Sequence, residues 1–447
     1  MRTLAASLLI TGGLWAGTTE PSTVTFNKQV LPVLQSRCQE CHRPGEAAPF
    51  SMLTYKDARP WAKAMKEAVL SKKMPPWFAD PTVGHFSNDR RLTPEETQTL
   101  VSWVDQGAME GDPKDAPPPV HFADGWTIGK PDVIYEMPVE YTVPAKGTVE
   151  YTYFLVPKAF TENKWIDKIE VRPGARSVVH HVVMYTRPQG SKFLEKLKPG
   201  VAWVEPEDKE PPKREADSGE GQFYLGDFEI ISVYVPGGVA YQTAPDQARF
   251  VKAGSDLIFQ MHYTANGKAT ADRTRVGIIF AKQPPRERVV NTFIMNTRFR
   301  IPPGAPDQVV DATVTLNRDA TLLNFFPHMH LRGKAFEYRV TYPDGRSETL
   351  FRMPKYNFNW QLTYQLAQPL KLPKGTVITA VAHYDNSPNN PYNPDPAKEV
   401  FWGDQSWEEM LAGFVDFAIP VNADPNDLAV PKKDPAKEKD KDQKSGG

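Results

Sequence analysis

Cysteine is almost absent from this chain of 447 residues, which contains only two. Both lie in one short motif, Cys38-Gln39-Glu40-Cys41-His42, so no structural disulfide is available once that motif is used. The formal net charge of −1 excludes the broad basic face that a nucleic-acid-binding protein presents. The hydrophobic content of 40%, with 11% aromatic residues, is sufficient for the cores of two or three domains.

Long apolar runs are equally scarce, and the most extended one lies at the start of the chain. It runs from Leu4 to Ala16, directly after Met1-Arg2-Thr3, and is too short to span a bilayer. We interpret residues 1–20 as a secretory signal peptide, with an uncleaved anchor as the alternative. The expected location is therefore the bacterial periplasm or the extracellular space, with no membrane contact beyond this export signal.

The chain changes character twice after the predicted signal. Residues 23–112 contain two helix patterns, one over residues 57–72 and one that opens at Thr93-Pro94 with two acids in its first turn. Residues 113–130 form a Pro-rich linker, which we expect to be extended. The chain beyond is rich in Val, Ile, Tyr and Phe between Gly and Pro turns, a pattern typical of β-sandwiches.

The predicted fold is multidomain: a small all-α domain followed by two all-β, jelly-roll-like sandwiches, residues 131–285 and 286–423. The predicted strands are residues 150–156, 165–171, 178–185, 228–235, 256–263, 276–280, 289–299, 309–316, 322–326, 336–342, 377–385 and 413–419. Residues 192–221 are charged and contain prolines, so we expect a surface insertion there. Residues 424–447 have few apolar side chains, so we expect a disordered charged tail.

The Cys-x-x-Cys-His motif indicates a covalently bound haem c. The thiols of Cys38 and Cys41 can form thioethers to the haem vinyl groups, while His42 supplies the proximal iron ligand. A zinc site is the alternative, but the chain has no second cysteine pair to complete one.

Residues 23–112 resemble class I cytochromes c, with the motif near the start and helices after it. The resemblance implies that a methionine from a later loop is the sixth iron ligand. Met74 suits this role best, because Pro75 and Pro76 extend the loop that presents its thioether. Its competitors are Met52, Met65 and Met109.

Other histidines are concentrated in three short strand-like segments, His180-His181, His262 and His328-Met329-His330. Imidazole is the commonest metal ligand. Alternate strand residues point to one face, so His328 and His330 can bind one metal together. Adjacent residues such as His180 and His181 point oppositely on a regular strand, so their joint ligation requires a bulge or a strand end. His262, taken alone, is more typical of a packed core residue.

The order of these motifs is more specific than any one of them. His-His, then Gln-x-His-Tyr, then Ile301-Pro302-Pro303-Gly304, then His-x-His-x-x-Gly, then an acidic residue followed by Met410 resembles the copper type II, ascorbate-dependent monooxygenases. That family includes peptidylglycine α-hydroxylating monooxygenase and dopamine β-hydroxylase. The resemblance covers roughly residues 139–419.

The resemblance implies two copper ions. One would be bound by His180, His181 and His262, and the other by His328, His330 and Met410. A soft thioether favours Cu(I), so the second site would be the catalytic one, where O₂ and the substrate C–H bond react. The implied activity is hydroxylation of an aliphatic carbon of a small molecule, with electrons from ascorbate or a periplasmic donor delivered through the haem.

The chain departs from the peptidylglycine enzyme at the three polar positions that anchor its substrate carboxylate. Phe326, Ala412 and Phe414 stand at those positions here. We therefore predict a hydrophobic substrate rather than a glycine-extended peptide. His383 is a candidate pocket residue, and Gln260 is a candidate to orient a ligand histidine.

Two other functional hypotheses remain open from the sequence. The first is a non-catalytic electron-transfer or copper-binding protein of the periplasm on the same scaffold. The second is a β-sandwich adhesion or carbohydrate-binding module with an attached cytochrome.

Overall fold

The computed structural model describes residues 23–46, 48–122, 125–204, 222–224, 228–238 and 240–431. The predicted signal peptide, residues 205–221 of the predicted insertion and residues 432–447 of the predicted tail lie outside the described residues. Within the described ranges, strands predominate, and no helix is long and apolar enough to cross a membrane.

Helices occupy the N-terminal part of the chain. They are α1 (Leu31–Arg37, preceded by a π-helical turn at Phe26–Val30), α2 (Tyr55–Ala58), α3 (Ala62–Leu70, joined to α2 by a 3₁₀ turn at Arg59–Trp61) and α4 (Pro94–Asp105). The predicted start of α4 is confirmed: Thr93 accepts a hydrogen bond from the Glu96 backbone N–H, and the Glu96 side chain accepts one from the Thr93 N–H. Leu100 and Trp103 of α4 are buried.

The remainder of the described chain is built from strands. They are β1 Val133–Glu136, β2 Tyr141–Val143, β3 Thr152–Val156, β4 Lys164–Arg172, β5 Val179–Arg187, β6 Trp203–Val204, β7 Gln222–Tyr224, β8 Glu229–Tyr234, β9 Tyr241–Gln242, β10 Gln247–Val251, β11 Asp256–Tyr263, β12 Thr270–Asp272, β13 Arg275–Phe280, β14 Glu287–Asn296, β15 Arg300–Ile301, β16 Gln308–Leu316, β17 Ala320–His328, β18 Gly333–Thr341, β19 Ser347–Met353, β20 Tyr364–Leu372, β21 Val377–Tyr384, β22 Val400–Phe401, β23 Leu411–Pro420 and β24 Ala429–Pro431. Every strand predicted from the sequence forms.

Two five-stranded sheets pack against one ten-stranded sheet. The long sheet has the order β1-β13-β4-β10-β14-β23-β17-β20, with β9 added beside β4 and β7 beside β14. The sheet β6-β3-β11-β5-β8 shares one apolar core with β4 and β13, and the sheet β19-β18-β21-β16-β24 shares another with β17 and β23. These two cores have the face-to-face packing of β-sandwiches.

The two sandwich cores are joined through the long sheet rather than by a free linker. The predicted boundary between residues 285 and 286 falls between β13 and β14, but β10 pairs with β14 in parallel, Gln247 opposite Glu287. Beside this junction, Arg249 of β10 donates to the Asp416 carboxylate of β23 at 2.5 Å. The side-chain amides of Asn291 and Asn324 donate to the same carboxylate, each at 2.8 Å.

Residues 77–88, which follow Met74, contribute to the core of the second sandwich. Trp77 and Phe86 are buried there, with ring centroids 4.7 and 5.7 Å from that of Tyr364. The Asn88 side chain donates to the Thr363 carbonyl at 2.7 Å. The N-terminal helices are therefore fixed to the β-sheets by aromatic packing that composition alone did not indicate.

Two predictions of exposed segments are partly wrong. Phe193 in the first part of the predicted insertion stacks on Phe228 at 3.8 Å, and Leu197 is buried. In the predicted tail, Pro425–Asp427 forms a 3₁₀ turn, Leu428 is fully buried, and β24 pairs with β16. In residues 192–204 and 424–431, the described parts of these segments, a few apolar side chains cover the edge of a core.

Candidate metal centres

The first histidine cluster consists of His180, His181 and His262, on the neighbouring strands β5 and β11. His262 lies opposite His181, but Tyr263 lies opposite Val179, so His180 is an extra residue in a β-bulge. The three residues can each offer a ligand atom within 4.8 Å of the others. His181 Nδ1 lies 3.2 Å from His180 Nδ1 and 3.3 Å from His262 Nδ1. The bulge is the irregularity that two adjacent histidines on one strand need in order to bind one metal together.

Burial keeps the first cluster uncharged. Desolvation lowers the pKa of His180 to about 4 and that of His262 to about 3, and it lowers the pKa of His181 well below its ordinary value. The positive charge that each protonated ring would place beside its neighbours lowers the pKa of His181 and His262 further. Neutral imidazole is the form that binds metal ions, and the buried Nε2 of His180 has no hydrogen-bond partner.

The second histidine pair, His328 and His330, lies at the end of β17. His328 is opposite Ala412 of β23, and the centroids of the two imidazole rings are 5.1 Å apart. Desolvation lowers the pKa of His328 to about 4 and that of His330 well below its ordinary value. The carbonyls of Gln405 and Glu408 approach the His330 ring, yet both of its buried ring nitrogens lack a hydrogen bond. Two unpaired buried nitrogens are costly without a ligand, so this ring fits a metal site.

Gln361 and Glu409 support the second pair, although the sequence did not single them out for this role. Gln361 Oε1 lies 2.6 Å from His328 Nδ1, so a proton on Nδ1 leaves Nε2 free to bind metal. The buried Glu409 carboxylate accepts the backbone N–H groups of His330 at 2.8 Å and Arg332 at 2.5 Å. Burial raises the pKa of Glu409 to about 8. Because Glu409 directly precedes Met410, it ties that methionine to the backbone of the histidine pair.

One histidine of the first cluster and both histidines of the second pair line one cavity of about 480 Å³, here called the central cavity. His181, His328, His330 and Met410 line it. The Phe358 ring lies between the groups, stacked on His180 at 5.5 Å and 6.4 Å from the His330 ring. The structure therefore brings together the residues that the sequence placed in two separate sites.

The rest of the central cavity is largely aromatic. Phe326, Ala412 and Phe414 line it, at the positions where the sequence predicted a loss of polar anchors. Phe414 contacts Phe326 at 5.6 Å and Phe293 at 5.2 Å between ring centroids. Other apolar members of the wall are Tyr151, Tyr153, Tyr185, Phe193, Leu194, Phe228 and Trp402.

Two candidate accessory residues take other roles. Gln260 lines the central cavity, but its amide donates to Tyr153 at 2.7 Å and accepts from Tyr185 at 3.1 Å. His383 Nδ1 lies 3.1 Å from Asp307 Oδ1, in a partly exposed pair near the end of β21.

A second cavity of about 500 Å³, here called the N-terminal cavity, is lined by Cys38, Cys41, His42 and Met74. His42 Nδ1 lies 3.2 Å from the Phe50 carbonyl, which leaves Nε2 as its free ligand atom. The two cysteines are free thiols, and burial raises the pKa of both.

The helical segment over residues 57–72 also lines this N-terminal cavity, with Trp61, Met65, Ala68 and Val69 in its wall. The competing methionines differ in position. Met52 and Met65 are buried in the wall, whereas Met109 is 48% exposed. A large apolar cavity beside two thiols, one imidazole and a thioether fits a covalently bound haem.

No protein-family model matches the chain, and no curated protein matches it. Among solved structures, PNGF-II is 11% identical, with a TM-score of 0.28, over 63% of this chain and 66% of its own, just under two thirds. A structure of infectious bursal disease virus Gx strain is 11% identical, with a TM-score of 0.19, over 68% of this chain and 74% of its own. The VP2 subviral particle of infectious bursal disease virus is 9% identical, with a TM-score of 0.18, over 68% and 75%. These TM-scores are too low to support an argument about function.

Proposed function

We propose that this protein is an exported monooxygenase of the copper type II, ascorbate-dependent class, with a fused c-type haem that delivers electrons. The observation that carries the proposal is one largely aromatic cavity lined by His181 of the first histidine cluster, by both histidines of the second pair and by Met410, in which burial keeps the histidines neutral. A β-sandwich adhesion module has no need of such a group, because buried polar nitrogens without partners reduce stability.

The two donor sets differ in softness, which assigns them different roles. His180, His181 and His262 would hold one copper with nitrogen ligands alone. His328, His330 and Met410 would hold the other, since a thioether stabilises Cu(I). When bound, copper and haem would supply O₂ binding and one-electron transfer for the reaction R–H + O₂ + 2e⁻ + 2H⁺ → R–OH + H₂O.

The protein's own residues would position the substrate and exclude water. The aromatic wall around Phe326 and Phe414 removes an apolar substrate from water. These two positions carry no charge, although Lys192 and Asp404 line the cavity elsewhere. Gln361 orients the His328 ring, and Glu409 holds the chain on both sides of His330. We propose a small hydrophobic substrate on this basis.

The proposed organisation follows from these sites. Residues 23–112 would form a class I-like cytochrome c domain with Cys38, Cys41, His42 and Met74 around the haem. Residues 131–285 and 286–423 would form the two copper-binding sandwiches. The proposed location is the bacterial periplasm or the extracellular space, where covalent haem attachment and copper loading are compatible.

The test is copper and haem stoichiometry followed by ¹⁸O₂ incorporation into a panel of hydrophobic substrates. The expected result is two copper ions and one haem per chain, with ¹⁸O in a hydroxylated product. His330→Ala should lose one copper, while the control His383→Ala, which alters the partly exposed pair with Asp307, should lose none. Two bound coppers without labelled product from any substrate would instead favour an electron-transfer or copper-binding protein.

The electron-supply role of the haem has a separate test. The double variant Cys38→Ala/Cys41→Ala removes both attachment points, so turnover driven by a donor that reduces the haem should fall sharply. Unchanged steady-state turnover in this variant would refute the role.

A further inference from the structure

One short loop, residues 357–361, reaches both the N-terminal cavity and the two histidine groups. The loop is a fixed turn. The Trp360 backbone N–H donates to the Asn357 carbonyl at 3.0 Å, and the Asn359 N–H donates to the Asn357 side chain at 3.0 Å. The loop thus lies between the N-terminal cavity, which is proposed to hold haem, and the histidine groups, which are proposed to hold copper.

Trp360 is the member of this loop that lines the N-terminal cavity, together with Cys41 and Gly237. Gly237 has a φ of +73°, and a β-carbon added to it would lie 3.3 Å from Cys41 Sγ and 3.9 Å from the Trp360 ring. The attachment thiol and the indole ring therefore approach the same glycine from two sides. A β-carbon at position 237 would crowd Cys41 Sγ and would make ordinary contact with the Trp360 ring.

The next residue, Gln361, makes the contact with the second histidine pair. Its Oε1 atom lies 2.6 Å from His328 Nδ1, and its Nε2 donates to the Phe358 carbonyl at 3.1 Å. One peptide bond, one side chain and one hydrogen bond therefore connect Trp360 to a proposed copper ligand. Gln361 is only 4% exposed, so water does not interrupt this route.

Phe358 extends the same loop to the first histidine cluster. Its ring stacks on that of His180, with 5.5 Å between centroids and 20° between planes, and lies 6.1 Å from His262. This contact is through space, whereas the contact of Gln361 is a hydrogen bond. The more strongly coupled route from the N-terminal cavity consequently ends at His328.

We propose that residues 357–361 form the electron path between the haem and the copper sites, with Trp360 at the haem and Gln361 at His328. This inference rests on the proposed function and adds a direct route to the His328, His330 and Met410 site. In each passage, one electron leaves ferrous haem and reduces Cu(II), giving ferric haem and Cu(I). An external one-electron donor then reduces the haem again, and two passages supply the two electrons of one hydroxylation.

The test follows haem reoxidation rather than turnover. Protein loaded with haem and Cu(II) is given a brief pulse of a one-electron reductant under anaerobic conditions, and haem absorbance reports the transfer to copper. Trp360→Leu and Gln361→Leu should each slow reoxidation by about tenfold or more. Trp360→Phe, which keeps an aromatic ring, should retain most of the rate.

The matched control is Trp165→Leu, because Trp165 lies on β4, packs against Phe250 and lines neither the N-terminal nor the central cavity. It should leave the reoxidation rate unchanged. Haem potential and copper content are measured in every variant, so that a damaged site is separated from a broken path. Wild-type rates in Trp360→Leu and Gln361→Leu, with both cofactors bound and an unchanged haem potential, would overturn the path alone. A wild-type protein that binds no copper or no haem would overturn the proposed function and the path together.

Discussion

Replacing Asp416 with alanine is expected to reduce the free energy of unfolding by about 3–5 kcal/mol, the cost of breaking a buried ion pair. The side chains of Asp416 and its partner Arg249 are each 5% exposed. Burial alone would lower the pKa of Arg249, but the neighbouring Asp416 carboxylate raises it above its ordinary value. Without that carboxylate, the guanidinium stays charged and desolvated, and the amides of Asn291 and Asn324 lose their acceptor.

The opposite replacement, Arg249→Met, should have a smaller effect. The Asp416 carboxylate then keeps two amide donors at 2.8 Å, and only a charge-assisted interaction of about 1.5–3 kcal/mol is lost. The methionine side chain fills much of the space that the arginine stem occupied. The difference in stability between the two variants distinguishes the cost of leaving a buried charge unpaired from the cost of losing one contact.

Urea unfolding followed by fluorescence and circular dichroism measures both changes. Asp344→Ala is the control, because Asp344 forms an ion pair of 2.7 Å with Arg346 whose side chains are 54% and 75% exposed. Solvent weakens such a pair, so this variant should unfold close to the wild type. Asp416 joins β23 to β10, so its loss should also separate the unfolding of the two sandwich cores. An Asp416→Ala variant that loses no more stability than Asp344→Ala would refute the reasoning.

Three further changes test other parts of the structure. Gly237→Ala places a side chain at a left-handed φ, at a cost of about 1–2 kcal/mol, and brings it against Cys41. The haem content, measured by absorbance, should therefore fall. Full haem content in this variant would contradict the close approach of Cys41 to Gly237. Phe326→Arg should strengthen the binding of a carboxylate-bearing ligand by about tenfold, which calorimetry measures. No gain in affinity would count against the placement of residue 326 in the substrate pocket. Thr93→Ala removes the cap of α4 and should destabilise the protein by about 1 kcal/mol, which thermal melting measures. An unchanged melting temperature would show that the Glu96 side chain alone is sufficient to cap the start of the helix.

The strands were predictable because their signal is local. Val- and Ile-rich segments between turns identified β11 from Asp256 to Tyr263 with both bounds correct. Strands such as β20 (Tyr364–Leu372) were missed, because that segment contains Pro369 and has no Val, Ile or Phe. The pairing of β10 with β14 depends on residues that are far apart in the sequence, and no local pattern encodes it.

The proposed ligand residues were predicted from their types and order, whereas no sequence pattern indicated their surroundings. The bulge at His180 was required by adjacent ligands on a strand, and the structure has it. Gln361 and Phe358 carry no sequence signal, since a glutamine and a phenylalanine in a loop are ordinary. Their role is visible only after folding places them beside His328 and His180. For Glu409, the one available signal was its place directly before Met410.

The packing of residues 77–88 into the second sandwich determines when, during synthesis and folding, this part of the chain can be buried. Asn88 and Thr363 are 275 positions apart, so Trp77 and Phe86 have no burial site until most of the chain has been synthesised. Contacts of such high sequence separation form slowly, and exposed aromatic residues attract chaperones meanwhile. Trp360 also lines the N-terminal cavity, so Cys38 and Cys41 would stay open to the proposed haem attachment until the same late stage.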